Sequence, residues 1–327
     1  QAEDGIRDAQ ESRGLGDVYK RQVANETKRI TQVGTQRRSA AVVQEAVELI
    51  RSGAIGHVVW ARCWHISNMF PHGIGDPPDC DPPPELDWNM WLGPAPFVPY
   101  NPNRCLYKFR WYRSYSGGQL TNMGTHYLDV IQWALGHDAP SSVVAMGGKY
   151  AIRDSRDIPD TLEVVWEYPG GTLVTFSQTE VNAAPGNRDN AVEFRGTNGT
   201  LYLTGGGYEI VPEQHHRTAS FPVDPLRRKE NRDAYAPTVP ACEARHGRGQ
   251  TSEVPHTRNF LDCVKSRKPC VCPVEVGHRS TSATLLGNLA YDRKRRIDWD
   301  ARAERVTNDD KANDLLMYEY RKPWKLA

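Results

Sequence analysis

Four residues between positions 117 and 136 share one side of a helix. Asn122, His126, Asp129 and Trp133 recur at i, i+4, i+7 and i+11, the spacing that stacks side chains on one face. A solvated face carries Lys and Glu; this one carries an amide, an imidazole, a carboxylate and an indole. An imidazole titrates near ~6.5, which suits proton transfer near neutral pH. His126 is therefore the candidate base, against the alternative of a buried, hydrogen-bonded core histidine. The Asn122 amide cannot be a base, but it donates and accepts hydrogen bonds and so can position a hydroxyl. Asp129 is better placed to orient a neighbour than to react, or else caps nearby backbone.

The element that must position these groups is legible in the same stretch. Leu120, Met123, Tyr127, Ile131 and Ala134 form an opposed apolar stripe. Gly117-Gly118 marks the start, with Thr121 read as the N-cap. Gly136 marks the stop, with Pro140 beyond it. Gly124 inside the helix costs about 1 kcal/mol against Ala, so close approach to the backbone is expected there.

The arrangement resembles the substrate-side helix of the Gfo/Idh/MocA oxidoreductases, the glucose–fructose oxidoreductase and inositol dehydrogenase family. The family pattern is Gly-Gly, a short apolar step, then Asp-x-Gly-x-His-x-x-Asp. Gly117, Gly118, Gly124, His126 and Asp129 match it, and Asn122 stands in place of the first Asp. The segments 86–96 and 109–111 are also close to the family's wording. The resemblance implies NAD or NADP as cofactor, a sugar, cyclitol or related polyol as substrate, and His126 with Asn122 as the catalytic pair. A Lys from a Glu-Lys-Pro motif joins them in the family and is absent from this sequence. Gln36 and Arg37 follow a strand end where the family's cleft opens, and an Arg there holds a substrate oxygen or forms a surface ion pair. Trp111 and Tyr127 stack on a sugar ring or pack a core. Asp129 completes the candidate substrate-binding set.

Composition removes several other classes. The 327 residues carry a net charge of +1 with mixed signs, which argues against nucleic acid or a membrane surface as partner. No apolar run reaches transmembrane length. Seven cysteines are an odd count in a chain too long to need stapling. Cys270-x-Cys272 with Cys263 and His278 fits no common zinc spacing, so no metal is assigned. The acidic loop 76–84 lacks the glycine and closing Glu of a calcium loop.

Along the chain, residues 1–22 show no amphipathic period and look like a translated sequencing-adapter scar. They are set aside as a non-native or disordered leader, so the natural start, and with it the choice between cytoplasmic and exported, is expected to be missing. Residues 23–56 read as a remnant of a dinucleotide-binding domain: a strand over 28–34, then a helix over 40–52. Residues 57–327 read as the C-terminal substrate and oligomerisation domain. A strand is predicted at 57–67, a short helix at 86–93, and strands at 142–150, 161–168, 172–181, 191–196 and 199–204. A long loop is predicted over 212–250, then helices at 255–266, 274–293 and 308–318. The fold class is α/β (α+β), a large, mainly antiparallel open sheet covered by helices, with a Rossmann remnant.

No strand runs through Gly-x-Gly-x-x-Gly into a helix, so the chain by itself is expected to bind no NAD(P) and to be inactive. In the family, sheet faces pair subunits, and Glu163, Val165 and Glu167 on the side opposite the apolar residues of 161–168 imply a homo-oligomer. Two other functions fit the same helix. One is a glycosidase that uses tightly held NAD to oxidise, eliminate and reduce again. The other is a non-catalytic sugar-binding or assembly module, which the Asn122 departure leaves open.

Overall fold

The computed structural model describes residues 17–184, 190–216, 238–317 and 320–324. In chain order these give α1 (Asp17–Thr27), α2 (Ala41–Arg51), β1 (Val58–Ile66), α3 (Trp88–Leu92), α4 (Gly118–Leu135), β2 (Ser142–Gly148), β3 (Thr161–Tyr168) and β4 (Thr172–Thr179). Then come β5 (Asn190–Gly196), β6 (Gly199–Thr204), β7 (Gly207–Pro212), β8 (Gln214–His216), β9 (Thr238–Pro240) and β10 (Arg245–Arg248). The chain closes with α5 (Glu253–Ser266), α6 (Val274–Arg293), β11 (Ile297–Asp300), β12 (Arg305–Val306) and α7 (Asp310–Asn313).

Period-two patterning builds the sheet. Leu162, Val164, Trp166 and Tyr168 of β3 are buried while Glu163 and Glu167 are exposed, the alternation of a strand with one covered face. Across the ladder, Val164 lies opposite Phe176 and Trp166 opposite Val174, cross-strand pairs on the covered side. Ten strands run in the order β10-β7-β6-β5-β1-β4-β3-β2-β11-β12. The β1–β4 pair is parallel; the sheet is otherwise antiparallel, as β1–β5 and β3–β4 illustrate.

Helices α2, α4 and α6 cover one face. Residues of all three share one buried cluster with the strands, from Val43 through Leu120 and Phe176 to Leu286. Trp166 Nε1 donates to the Ala283 carbonyl at 2.9 Å, tying β3 to α6. A methyl at Gly124 would sit 3.4 Å from the Phe176 ring, so the expected close approach is α4 lying down on β4. The opposite sheet face presents Val144, Met146 and Leu173 to solvent. At its centre, the Arg62 guanidinium stacks between Trp60 and Trp64 and pairs with Glu193 at 2.8 Å.

Four predicted features differ. Residues 28–34 form no strand: Val33 N–H bonds the Cys272 carbonyl and the run has no neighbouring strand to pair with among the described residues. The predicted loop 212–250 contains β8, β9 and β10, because β10 adds to the β7 edge; its residues 217–237 lie outside the described residues. The predicted helix 308–318 is helical only over α7, and its residue 318 lies outside the described residues. Thr121 is not the N-cap: α4 begins earlier, with Gly117 as N-cap, and Thr121 Oγ1 accepts the Gly117 N–H from inside the helix. Helix α1 starts within the stretch set aside as leader. Arg21 holds it to the body through Glu304 at 2.7 Å.

Gly118 is at φ +73°, and a methyl there would lie 2.3 Å from Ile158 Cδ1. Ile158 is 1% exposed, so it has no room to swing away. Gly118→Ala is expected to destabilise the protein by roughly 2 kcal/mol, from the left-handed backbone plus the clash. Urea denaturation checks this: a midpoint equal to that of the wild type would contradict the strain argument.

Candidate active site

The site forms where a single 3-10 turn, Gln36–Ser39, meets the polar face of α4. Its two arginines turn opposite ways. Arg38 Nε lies 3.0 and 2.8 Å from the two Asp129 carboxylate oxygens, with its guanidinium stacked on Trp133. Ser280 Oγ of α6 donates to Asp129 Oδ1 at 3.0 Å. Asp129 is fully buried. Burial pushes its carboxyl up, against Arg38, Ser280 and Thr35, which pull it down. Asp129 therefore ties the turn to α4 and α6 and does not line a substrate surface as the sequence pattern suggested. Removing one partner of such a pair leaves a buried charge and costs about 3–5 kcal/mol.

Arg37 is free of that knot. Its guanidinium lies over the Tyr127 ring, and its Nη1 is buried with no hydrogen-bond partner among the described residues. Burial lowers its pKa, with Tyr127 and Cys63 opposing. His126 sits half-buried one turn from Asn122, and its Nδ1 likewise has no partner among the described residues. Burial pushes the imidazole below its ordinary 6.5, the Arg37 charge pushes it further, and Asp129 opposes. The ring is thus neutral at neutral pH and keeps a lone pair for a proton. An unmet buried polar group costs about 1–3 kcal/mol. The two groups are coupled electrostatically. A neutral imidazole can take a proton, and a guanidinium can hold an oxygen that loses one.

The remaining predicted residues divide. Asn122 shares the His126 face and donates to Gln119 Oε1 at 3.1 Å. Gln36 is half-buried on the turn. Tyr127 is buried beneath Arg37, so its ring face serves the guanidinium. Trp111 is in a satellite core with Ile74, Tyr112 and Ile158, its Nε1 bonded to Glu180. Packing therefore takes the indole offered for sugar stacking. Cys270 and Cys272 are buried, Thr35 Oγ1 donates to Cys272 Sγ, and His278 turns to Glu304.

Sequence reasoning missed Gln119, Glu180 and Arg156. Arg156 is fully buried between Asp154 and Glu180, and Glu180 also accepts from Gln119 Nε2 at 3.2 Å. The signal that could have found them was parity: Gln178 and Glu180 continue the inward side of β4 marked by Val174 and Phe176. Polar residues on a buried strand face need partners.

The sheet carries helices on one face, and the imidazole, amide and guanidinium gather where α4 meets the 3-10 turn. A profile of the oxidoreductase family's C-terminal alpha/beta domain, of the Gfo/Idh/MocA type, matches residues 67–239 and 235–326. The chain belongs to that family. Bovine (Bos taurus) trans-1,2-dihydrobenzene-1,2-diol dehydrogenase is 26% identical over 163 residues, 49% of this chain and 42% of that protein's own length. Among solved structures, the WlbA dehydrogenase of Bordetella pertussis, in complex with NADH and UDP-GlcNAcA, superposes with a TM-score of 0.55. Its identity is 15%, covering 86% of this chain and 68% of that one. The aldose-aldose oxidoreductase of Caulobacter crescentus, complexed with glycerol, gives 0.56 at 13% identity over 87% and 69%. These likenesses show the fold.

Among the described residues no strand passes through a glycine-rich turn into a helix N-terminus, the cradle a pyrophosphate requires.

The depressed imidazole sets a pH dependence. A His whose folded pKa lies below its unfolded 6.5 leaves the unfolded chain holding more protons in that window. Stability is then complete above about 6.5 and falls as the pH drops below it. His65, also pushed down by burial against Glu180, acts in the same direction. Glu304, held at about 2, acts in a lower window, below its unfolded 4.5. His126→Gln is expected to flatten the loss of stability between pH 6.5 and the Glu304 window. Denaturant midpoints across that range check it; an unchanged slope would contradict the burial of a neutral imidazole.

Proposed function

We propose that the protein is an NAD(P)-dependent oxidoreductase acting on a sugar, cyclitol or related polyol, with this chain supplying the substrate side of the site. The observation that carries the reading is the pair of unpartnered buried atoms, Arg37 Nη1 and His126 Nδ1, beside the half-exposed Asn122. His126 takes the proton of the reacting hydroxyl. Arg37 holds the oxygen as charge develops, its Nη1 having no hydrogen-bond partner among the described residues. Asn122 positions a hydroxyl of the substrate. Family membership supports the reaction class, as do a diol dehydrogenase among its relatives and fold neighbours crystallised with a sugar nucleotide or glycerol. The nucleotide is held by a separate dinucleotide-binding segment, and this chain by itself is inactive.

In the intact protein, His126→Ala is expected to lower polyol-dependent reduction of NAD+ or NADP+ by about 10²–10⁴-fold, the range for a positioned general base. Nicotinamide absorbance reads the rate; retention of full turnover in the variant would sink the assignment. Calorimetric titration of NAD+ into the 327-residue chain is expected to release no binding heat, and tight binding would place the nucleotide site within it.

The open sheet face joins copies of this chain. Val144, Met146 and Leu173 are exposed apolar residues on one face, and unpaired apolar patches mark interaction surfaces. Sedimentation at micromolar concentration is expected to give a dimer or larger, converted to monomer by Met146→Glu; a monomeric wild type would overturn this.

A further inference from the structure

We infer that buried Glu180 fixes the orientation of the Asn122 amide, so that the site presents Oδ1 beside His126 as an acceptor and not the NH₂ as a donor. The assignment follows from donor counting along one chain of groups. Glu180 is fully buried, and three donors converge on its carboxylate: Arg156 Nη1, Trp111 Nε1 and Gln119 Nε2. A guanidinium and an indole N–H only donate, and a carboxylate only accepts. The Gln119 amide therefore has to aim its NH₂ at Glu180. Its Oε1 then faces Asn122, 3.1 Å from Nδ2. A flipped Asn122 would set Oδ1 against Oε1, two acceptors in contact with no proton between them. Side-chain amides are ordinarily ambiguous in this respect; in this chain of groups the ambiguity ends at a carboxylate.

No hydrogen bond reaches Asn122 Oδ1 among the described residues, and the residue is half-exposed on the His126 face. The site is polarised as a result, with a donor at Arg37 and an acceptor at Asn122. It takes a ligand that offers an O–H to Asn122 and an oxygen to Arg37, and it disfavours one that brings a carbonyl or carboxylate oxygen to Asn122. This bearing on substrate rests on the oxidoreductase reading above; the lock itself does not. Glu180 and Gln119 are positioning residues, acting through Asn122.

The test is side-chain amide NMR on the full chain, ¹⁵N-labelled and without ligand. Asn122→Asp and Gln119→Met identify the two amide pairs by their loss. In the wild type each pair is expected to show one proton shifted downfield, with solvent exchange slowed on the order of tenfold against an exposed amide. In Gln119→Met, which keeps the side-chain volume near Glu180, the Asn122 pair is expected to return to free-amide positions with the backbone spectrum preserved. Glu180→Gln, whose amide can donate to Gln119, is expected to reverse the chain of groups: the Gln119 NH₂ turns to Asn122 Oδ1 and the Asn122 pair is released. Should that variant not fold, protection of Gln119 in the wild type tests the same link. An Asn122 pair that exchanges like a free amide, or that is indifferent to Gln119→Met, overturns the proposal. The readout needs no turnover, so loss of the polyol reading leaves a positive result standing, and a free Asn122 amide defeats the lock even in an active enzyme.

Discussion

The contact on which the site depends is the buried pair between Arg38 and Asp129. A carboxylate at zero exposure on α4 is tolerable only with its charge met, and the two oxygens share the Arg38 Nε while Ser280 completes one of them. The partners come from a 3-10 turn, α4 and α6, so meeting that charge fixes three elements at once. It also decides the neighbouring arginine. In a turn this tight, adjacent side chains diverge; with Arg38 committed to Asp129, Arg37 is directed over Tyr127 and towards His126. The structural arginine makes its neighbour available.

That availability sets the electrostatics. Burial and a guanidinium both oppose protonation of His126, and Asp129, already neutralised by Arg38, opposes them only weakly. An unpaired Asp129 would draw the imidazole towards its charged form. The same ion pair that docks the turn thus helps keep the His126 imidazole below its ordinary pKa, so packing and electrostatics share one set of atoms.

Much of this was legible in the sequence because α4 carries it locally. The spacing of Leu120, Tyr127 and Ile131 against Asn122 and His126 needs only 3.6 residues per turn to be read, and it placed His126 and Asn122 on one face. Asp129 lies on that face by spacing yet is buried, because α6 and the turn close over that end of the helix, and periodicity does not say which element covers a stripe. Trp111 misled for a related reason: an indole is equally suited to a sugar and to a core, and its fate was decided by Glu180, 69 residues away. The strand expected at 28–34 has the composition of a strand, but a strand exists only with a neighbouring strand, and the described residues offer it scattered groups instead, among them the Cys272 carbonyl and the His256 and Arg267 side chains. The β10 edge was missed because its Arg-His-Gly-Arg composition says nothing of strand; pairing with β7 makes it one.

The buried charges of Arg156, Asp154 and Glu180 are the part of the molecule hardest to account for by stability. Three fully desolvated ionic side chains gain little over well-packed apolar ones of similar volume, and such clusters are often neutral or unfavourable by comparison. What an apolar cluster cannot supply is direction. A carboxylate satisfied on two sides by groups that only donate imposes its polarity on the third, and a carboxamide passes that polarity on with its sense preserved. Gln119 is therefore suited to its place between Glu180 and Asn122 in a way that Leu or Met is not, since either would leave Asn122 free to turn. A site that must tell a hydroxyl from a carbonyl needs its acceptor held still, and the nearest rigid source of that sense, outside the solvent-exposed face of α4 itself, is the charged interior behind it.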